Sequence, residues 1–169
     1  MLPLLLAIGI LVLDQWTKHS VRADFRLGES IPVIDGFFNL TYVRNTGAAW
    51  GMLGGQNTVL TLLSLVMLGV MLVYRRSFLN DTLEHRVALG LLIGGILGNL
   101  MDRIRQGWVT DFFDFYIGNA HWPCFNIADA AICTGVGIYL LSALWIKRHP
   151  LKSPADEARM DAGSMPSSP

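Results

Sequence analysis

Val87-Ala-Leu-Gly-Leu-Leu-Ile-Gly-Gly-Ile-Leu-Gly-Asn-Leu-Met-Asp-Arg-Ile104 is an almost unbroken apolar run that turns polar only over its last six residues. Wound as a helix at about 1.5 Å per residue, such a stretch covers most of the roughly 30 Å of bilayer hydrocarbon, with its polar end in the interface. Gly90, Gly94 and Gly98 recur every four residues, stack on one face and let a neighbouring helix approach closely. The ladder is a packing device rather than chemistry. It nevertheless brings the polar groups at the helix end, Asn99, Asp102 and Arg103, near the other helices.

Three more segments qualify as spans, at about 2–20, 58–74 and 126–146. The expected fold is therefore an α-helical integral membrane protein with four transmembrane helices and both termini on one side. Composition agrees: 52% of the 169 residues are hydrophobic and only 15% charged, more apolar than an ordinary soluble domain. The formal net charge is zero and the basic residues are scattered, which excludes an electrostatic footprint for nucleic acid. Cys124 and Cys133 lack the CxxC spacing of a zinc site and are expected to be buried small hydrophobes. Met1–Leu13 resembles the apolar part of a secretory signal but has no basic residue before it. Asp14-Gln-Trp-Thr-Lys18 follows in place of a cleavage site, so a retained membrane helix is expected.

About 37 residues separate the first two spans, too many for a turn. Ile31-Pro-Val-Ile34, Gly36 and Phe37-Phe-Asn-Leu-Thr-Tyr-Val43 combine turn residues with aromatic and β-branched runs, which predicts a small antiparallel sheet over about 24–50 lying on the membrane surface. Between the third and fourth spans, Arg105 to Phe125 reads as an aromatic interfacial loop on the same side (Trp108, Phe112, Phe113, Phe115, Tyr116, Trp122). Basic residues divide seven against six between the two faces, but Arg75-Arg76 and Lys147-Arg148 are tight pairs at span ends and place both termini in the cytoplasm. Residues 150–169 are polar, rich in Pro, Ser and Ala, and expected to be a disordered cytoplasmic tail.

The acidic residues gather toward the opposite face: Asp14, Asp102, Asp111, Asp114 and Asp129 all fall at or near span ends. A charged group at membrane depth costs about 2.5–3.5 kcal/mol, so each is a functional candidate unless the interface solvates it. Asp129 lies a turn inside the fourth helix with Asn126 on its face. The plain alternative is a helix start, with Asn126 as N-cap and Asp129 favoured by the helix dipole. Asp111 and Asp114 compete within Val109-Thr-Asp-Phe-Phe-Asp-Phe115; they would share a face on a helical turn but oppose each other on a strand, and spacing alone does not choose. Asp14 with Lys18, and Asn99 with Arg103, are i,i+4 pairs at span ends. The first is readable as a simple ion pair and Arg103 as a snorkelling residue. Asn45-Thr-Gly-Ala-Ala49 by itself is a turn after a strand.

Taken in order, these segments resemble the sequence boxes of bacterial lipoprotein signal peptidase, also called signal peptidase II. Asp14-Gln-x-x-Lys18, Asn45-Thr-Gly-Ala-Ala49, Gly98-Asn99-x-x-Asp102-Arg103, Val109-x-Asp111-Phe112 and Phe125-Asn126-x-Ala128-Asp129 carry the likeness, which spans about residues 5–148. It implies a single membrane-embedded peptidase domain over 1–149 and a metal-independent aspartic endopeptidase without cofactor, in which Asp111 and Asp129 are catalytic and Asp114 is not. Asp14, Lys18, Asn45, Gly47, Asn99, Arg103 and Asn126 would bind substrate or orient the pair. Cys124, where the family more often has a small residue such as Ala, and Ala130, where Ser is common, are departures not expected to touch the pair.

The implied substrates are diacylglyceryl-modified prolipoproteins, cut on the N-terminal side of the lipidated cysteine. The implied setting is the bacterial inner membrane, with the site near the periplasmic face among membrane lipids, and globomycin-type cyclic peptides as inhibitors. Two carboxylates sharing a site cannot easily both ionise, so the pair holds one proton and supplies an acid and a base. Three competing readings are a small transporter or channel using buried carboxylates, a magnesium or calcium site of Asp111, Asp114, Asp129 and Asn126, and a purely structural membrane protein. No internal repeat supports the first of these.

Overall fold

The computed structural model describes residues 1–48, 52–73 and 82–148. Among these residues four helices and four strands follow in the order α1 (Leu2–Asp24), β1 (Ser30–Ile34), β2 (Phe38–Asn45), α2 (Asn57–Val73), α3 (Leu83–Gln106), β3 (Val109–Ile117), β4 (Ala120–His121) and α4 (Ile127–Arg148). The expected cytoplasmic tail, the Arg75-Arg76 pair and Ala49 lie outside the described residues.

Capping chemistry sets the helix bounds. The α1 helix opens on Pro3, whose fixed φ suits a first turn, and ends where Phe25 turns extended at φ −112°. The α3 helix begins four residues before the expected Val87, because the Thr82 side chain accepts a hydrogen bond from His85 N at 3.4 Å and Glu84 occupies the first turn. It stops at Gly107, whose left-handed φ of 81° is open to glycine at little cost.

Everything between α3 and α4 was expected to be loop; the structure instead makes much of it strand. Strand β3 leaves Gly107 almost at once and pairs antiparallel with β2, Asn45 opposite Val109 and Val43 opposite Asp111. The resulting sheet has the order β1-β2-β3-β4, so residues 24–50 supply only half of it. The β-branched and aromatic side chains that dominate Val109–Ile117 favour a pleated surface, and the free edge of β2 gives them a partner no local pattern reveals. Val21, Tyr42 and Phe112 form the core that seats this sheet on α1, with Phe25, Leu40, Phe113 and Ile127 packed around it.

Glycine sets the helix spacing. A Cβ at Gly90 would come within 2.8 Å of Leu6 Cβ, and one at Gly94 within 2.8 Å of Ala7 O, so that ladder faces α1. A Cβ at Gly95 would lie 2.5 Å from Ala128 O, so the next face receives α4. Gly98 is the tightest functional contact, where an added Cβ would stand 2.5 Å from Asp14 Oδ2 and 3.2 Å from Ala128 Cβ. Gly98→Ala is therefore expected to destabilise the protein by about 1–3 kcal/mol. A melting temperature in detergent equal to the parent's would show that the bundle yields there instead.

Outside these contacts the helices are apolar and uncovered. Leu4, Leu5, Ile8 and Val12 on α1, Leu62, Leu63 and Val66 on α2, and Leu140, Leu141, Leu144 and Trp145 on α4 are all exposed. A soluble monomer rarely presents contiguous apolar patches of this extent. Among the described residues, two helices are long and apolar enough to cross a membrane, Leu83–Gln106 and Ile127–Trp145. The α1 helix carries Asp14, Lys18, Arg22 and Asp24 in its second half, and α2 has 17 described residues.

Candidate active site

Asn126 caps α4 and joins the two aspartates singled out above. Its Oδ1 accepts from Asp129 N at 2.9 Å, while Asp129 Oδ2 accepts from Asn126 N at 3.3 Å, a reciprocal capping arrangement. The Asn126 Nδ2 in turn donates to Asp111 Oδ1 at 2.6 Å. The capping of α4 by Asn126 is therefore present, and the same residue links Asp129 to Asp111.

Each aspartate has a further amide partner. Asn45 Nδ2 donates to Asp111 Oδ2 at 2.8 Å, and Asn99 Nδ2 donates to Asp129 Oδ1 at 2.7 Å. Asn45 Oδ1 accepts from Gly47 N at 2.9 Å, which leaves its amide nitrogen to face Asp111. Lys18 fixes Asn99 similarly: an ammonium only donates, so the Asn99 oxygen turns to Lys18 Nζ at 3.0 Å and its nitrogen to Asp129.

Behind Asn99 lies a fully buried charge cluster. Lys18 Nζ is 2.9 Å from Asp14 Oδ2 and 3.3 Å from Asp102 Oδ2, with all three side chains inaccessible to solvent. Asp14 Oδ1 also accepts from Ala128 N at 2.9 Å, so a carboxylate on α1 satisfies a free N–H of α4. Asp102 Oδ2 accepts from Thr110 N at 3.1 Å and so pins β3 one residue before Asp111. The sequence reading placed Asp102 among the candidate acids without a role. Its place at the polar end of α3 and in the third box gave no sign of Thr110, which meets it through a loop. Gln15, which stands in the first box without an assigned role, donates to Gly98 O at 3.1 Å and to Asp102 Oδ1 at 3.2 Å.

Gly47 and Arg103 close the front. A Cβ at Gly47 would lie 2.8 Å from Met52 O, so only glycine fits the turn, and Arg103 Nη2 reaches Gly47 O at 3.4 Å. Arg103 makes no hydrogen bond to either aspartate among the described residues, yet it lines the same cavity as Asp129. That cavity is about 390 Å³ and mostly apolar, walled by Val109, Trp122, Phe125, Ile132 and Cys133. A second, more polar cavity of about 310 Å³ holds Asp111, Arg44 and Thr46. Asn45, Gly47, Ala48, Pro123 and Cys124 wall both, so the two meet along one seam.

Burial, and then the charge of Asp129, push the Asp111 carboxyl up to about 7, against the hydrogen bonds from Asn45 and Asn126 and the charge of Lys18. Asp114 follows another path. The strand turns it away from Asp111, and it takes Thr41 Oγ1 at 3.1 Å and His121 Nδ1 at 2.7 Å. Asp111, Asp114 and Asp129 are therefore not assembled, and among the described residues no group of three His, Cys, Asp or Glu side chains is placed to hold a metal ion.

The cysteines also depart from expectation. Cys133 is exposed and Cys124 only half-buried, since both stand at the cavity wall rather than in the core. Cys124 and Ala130, not expected to touch the pair, line the same cavity as Asp129. Burial pushes the Cys124 thiol up to about 11, so it stays neutral.

Residues 6–145 match the family profile described as signal peptidase (SPase) II. A lipoprotein signal peptidase of Syntrophus aciditrophicus is 49% identical over 132 residues, covering 75% of this chain and 82% of its own. One from Geobacter sulfurreducens is 46% identical over 150 residues, 87% of this chain and 92% of its own. A solved bacterial membrane enzyme superposes with a TM-score of 0.80 at 34% identity, covering 89% of this chain and 92% of that one.

Proposed function

The chain belongs to the signal peptidase II family, and from that premise we propose that it cleaves diacylglyceryl-modified prolipoproteins on the N-terminal side of the lipidated cysteine, with Asp111 and Asp129 as its catalytic pair. One observation carries this reading: Asn126 hydrogen-bonds both carboxylates, so two acids 18 positions apart share one site. The pair holds a single proton. Its ionised member takes a proton from water, which attacks the scissile carbonyl; its protonated member hydrogen-bonds the carbonyl oxygen and then passes its proton to the leaving amine. Asn45, Asn99 and Asn126 hold the carboxylates in place, and Arg103 and Gly47 shape the entrance for the peptide. Neither metal nor covalent intermediate enters the scheme.

The protein is a membrane enzyme, and the same proposal sets it in the bacterial inner membrane with four spans, α1 to α4, both termini cytoplasmic and the sheet on the periplasmic side. Membrane lipids would then surround the exposed apolar faces, and globomycin-type cyclic peptides would compete for the cavities. The transport alternative finds no support among the relatives, which bear the name of a peptidase.

The test is cleavage of a diacylglyceryl-modified prolipoprotein by purified protein in detergent as a function of pH. With Asp111 raised to about 7, the singly protonated pair is lost as pH rises through that value, so kcat/KM is expected to fall above about pH 7. Asn45→Ala removes a hydrogen bond that favours the ionised carboxylate, so the falling limb is expected to move to higher pH. A limb that stays in place would detach Asp111 from the titration.

A further inference from the structure

Arg44 stands at the mouth of the polar cavity, one residue before the Asn45 that holds Asp111. Its guanidinium lies 4.5 Å from the Trp108 ring centroid and 5.9 Å from that of Tyr42, and its Nε donates to Tyr42 Oη at 3.2 Å. Tyr42 is buried in the core under the sheet, so it anchors the cation. Among the described residues no carboxylate lies within ion-pair distance of Arg44. A cation so held, stacked on aromatic faces and still exposed, has donors left for a ligand and little freedom to lose on binding it.

The two cavities differ in the chemistry they suit. Trp122, Phe125, Val109, Ile132 and Cys133 give the Asp129 side an apolar wall, fit for hydrocarbon and for small apolar residues. Arg44, Asn45, Thr46 and Asp111 give the other side a polar one, fit for a chain that continues into water. A peptide threaded along the common seam of Gly47, Ala48, Pro123 and Cys124 places its scissile carbonyl between the two aspartates. Its apolar half then lies with Asp129 and its polar half with Asp111.

From this division we infer that Arg44 is a specificity-determining residue, recognising an acidic side chain in the polar segment that follows the cleaved bond. The inference rests on the assignment of Asp111 and Asp129 and adds a direction of threading and a charge preference. Arg44 binds substrate and takes no part in the chemistry, so its effect falls on KM and leaves kcat in place. Trp108 acts through Arg44 as a positioning residue.

The experiment uses three diacylglyceryl-modified prolipoprotein peptides that differ only in carrying Asp, Asn or Lys shortly after the modified cysteine. The full-length protein in detergent is expected to show a KM about fivefold lower for the Asp peptide than for the Lys peptide, with equal kcat, and the difference is expected to shrink with added salt. Arg44→Gln should level the three, Arg44→Glu should invert their order, and Arg44→Lys should keep the order at reduced span. A parent that ranks the peptides equally, or a ranking unchanged in Arg44→Gln and Arg44→Glu, would overturn the inference. Asp111→Asn, assayed alongside, separates the two ideas: cleavage by that variant strikes the catalytic assignment, whereas the charge ranking in the parent speaks only to Arg44.

Discussion

Asparagine in place of either Asp111 or Asp129 is expected to lower kcat by at least about 10³-fold while leaving the fold intact. The amide keeps the shape of the carboxylate and one oxygen acceptor. At position 111 that oxygen can still take the bond from Asn126 Nδ2, 2.6 Å in the parent, and at 129 it can still take the bond from Asn99 Nδ2, 2.7 Å in the parent. What asparagine lacks is the ability to accept or release a proton. The two substitutions should cost nearly the same, because acid and base form one unit and removing either member stops the relay. Asp114→Asn serves as the contrast: its contacts to Thr41 and His121 belong to the sheet, and it should retain turnover within about tenfold of the parent. Measured on well-folded protein in detergent, turnover near the parent level in either Asp111→Asn or Asp129→Asn would falsify the catalytic pairing.

The second large effect concerns stability. Lys18→Met is expected to destabilise the protein by about 3–5 kcal/mol, the usual consequence of removing one partner from a buried ion pair. All three ammonium protons of Lys18 have partners, Asp14 at 2.9 Å, Asn99 at 3.0 Å and Asp102 at 3.3 Å, and no solvent reaches the group. Without the cation two carboxylates remain buried, and the ion pair left to them among the described residues is that of Arg22 with Asp102 at 3.7 Å. Those carboxylates also hold Ala128 N and Thr110 N, so the loss reaches the start of α4 and the approach to Asp111. Unfolding by heat or denaturant in detergent measures the deficit. Combining Lys18→Met with Asp102→Asn should cost less than the two changes added together, since the second removes the charge that the first leaves unpaired. Strict additivity would show that the three side chains do not act as one network.

The folding consequence of that network is as important as the chemistry. Asp14 lies on α1, Asp102 on α3, Thr110 on β3 and Ala128 on α4, so Lys18 and its two carboxylates join four elements at one point. Glycines at 90, 94, 95 and 98 allow the helices to come that close. Small residues and buried charges are therefore parts of one device, in which backbone proximity makes the ionic contacts short enough to offset their desolvation.

The four helices, the sheet-forming character of residues 31–43 and the family likeness of five short boxes were legible from residue order alone. Each depends on local pattern: apolar length, periodic glycine, capping residues and runs of β-branched or aromatic side chains. The strand at Val109–Ile117 was not legible, nor therefore the choice between Asp111 and Asp114 on physical grounds. Alternating faces separate two residues three apart only once pairing with β2 has made the segment a strand, and that partner lies about 70 positions away in the chain. The same holds for Asn126 touching Asp111, for Asp14 accepting from Ala128 N and for Arg44 settling on Trp108. A sequence declares which side chains carry charge and which segments coil, because those are properties of near neighbours. Which buried donor meets which buried acceptor was decided by the tertiary structure alone, since a polar group taken out of water is costly unless the packing of distant segments brings a partner within about 3 Å, as it does for Asp14, Lys18, Asp102 and Asn126.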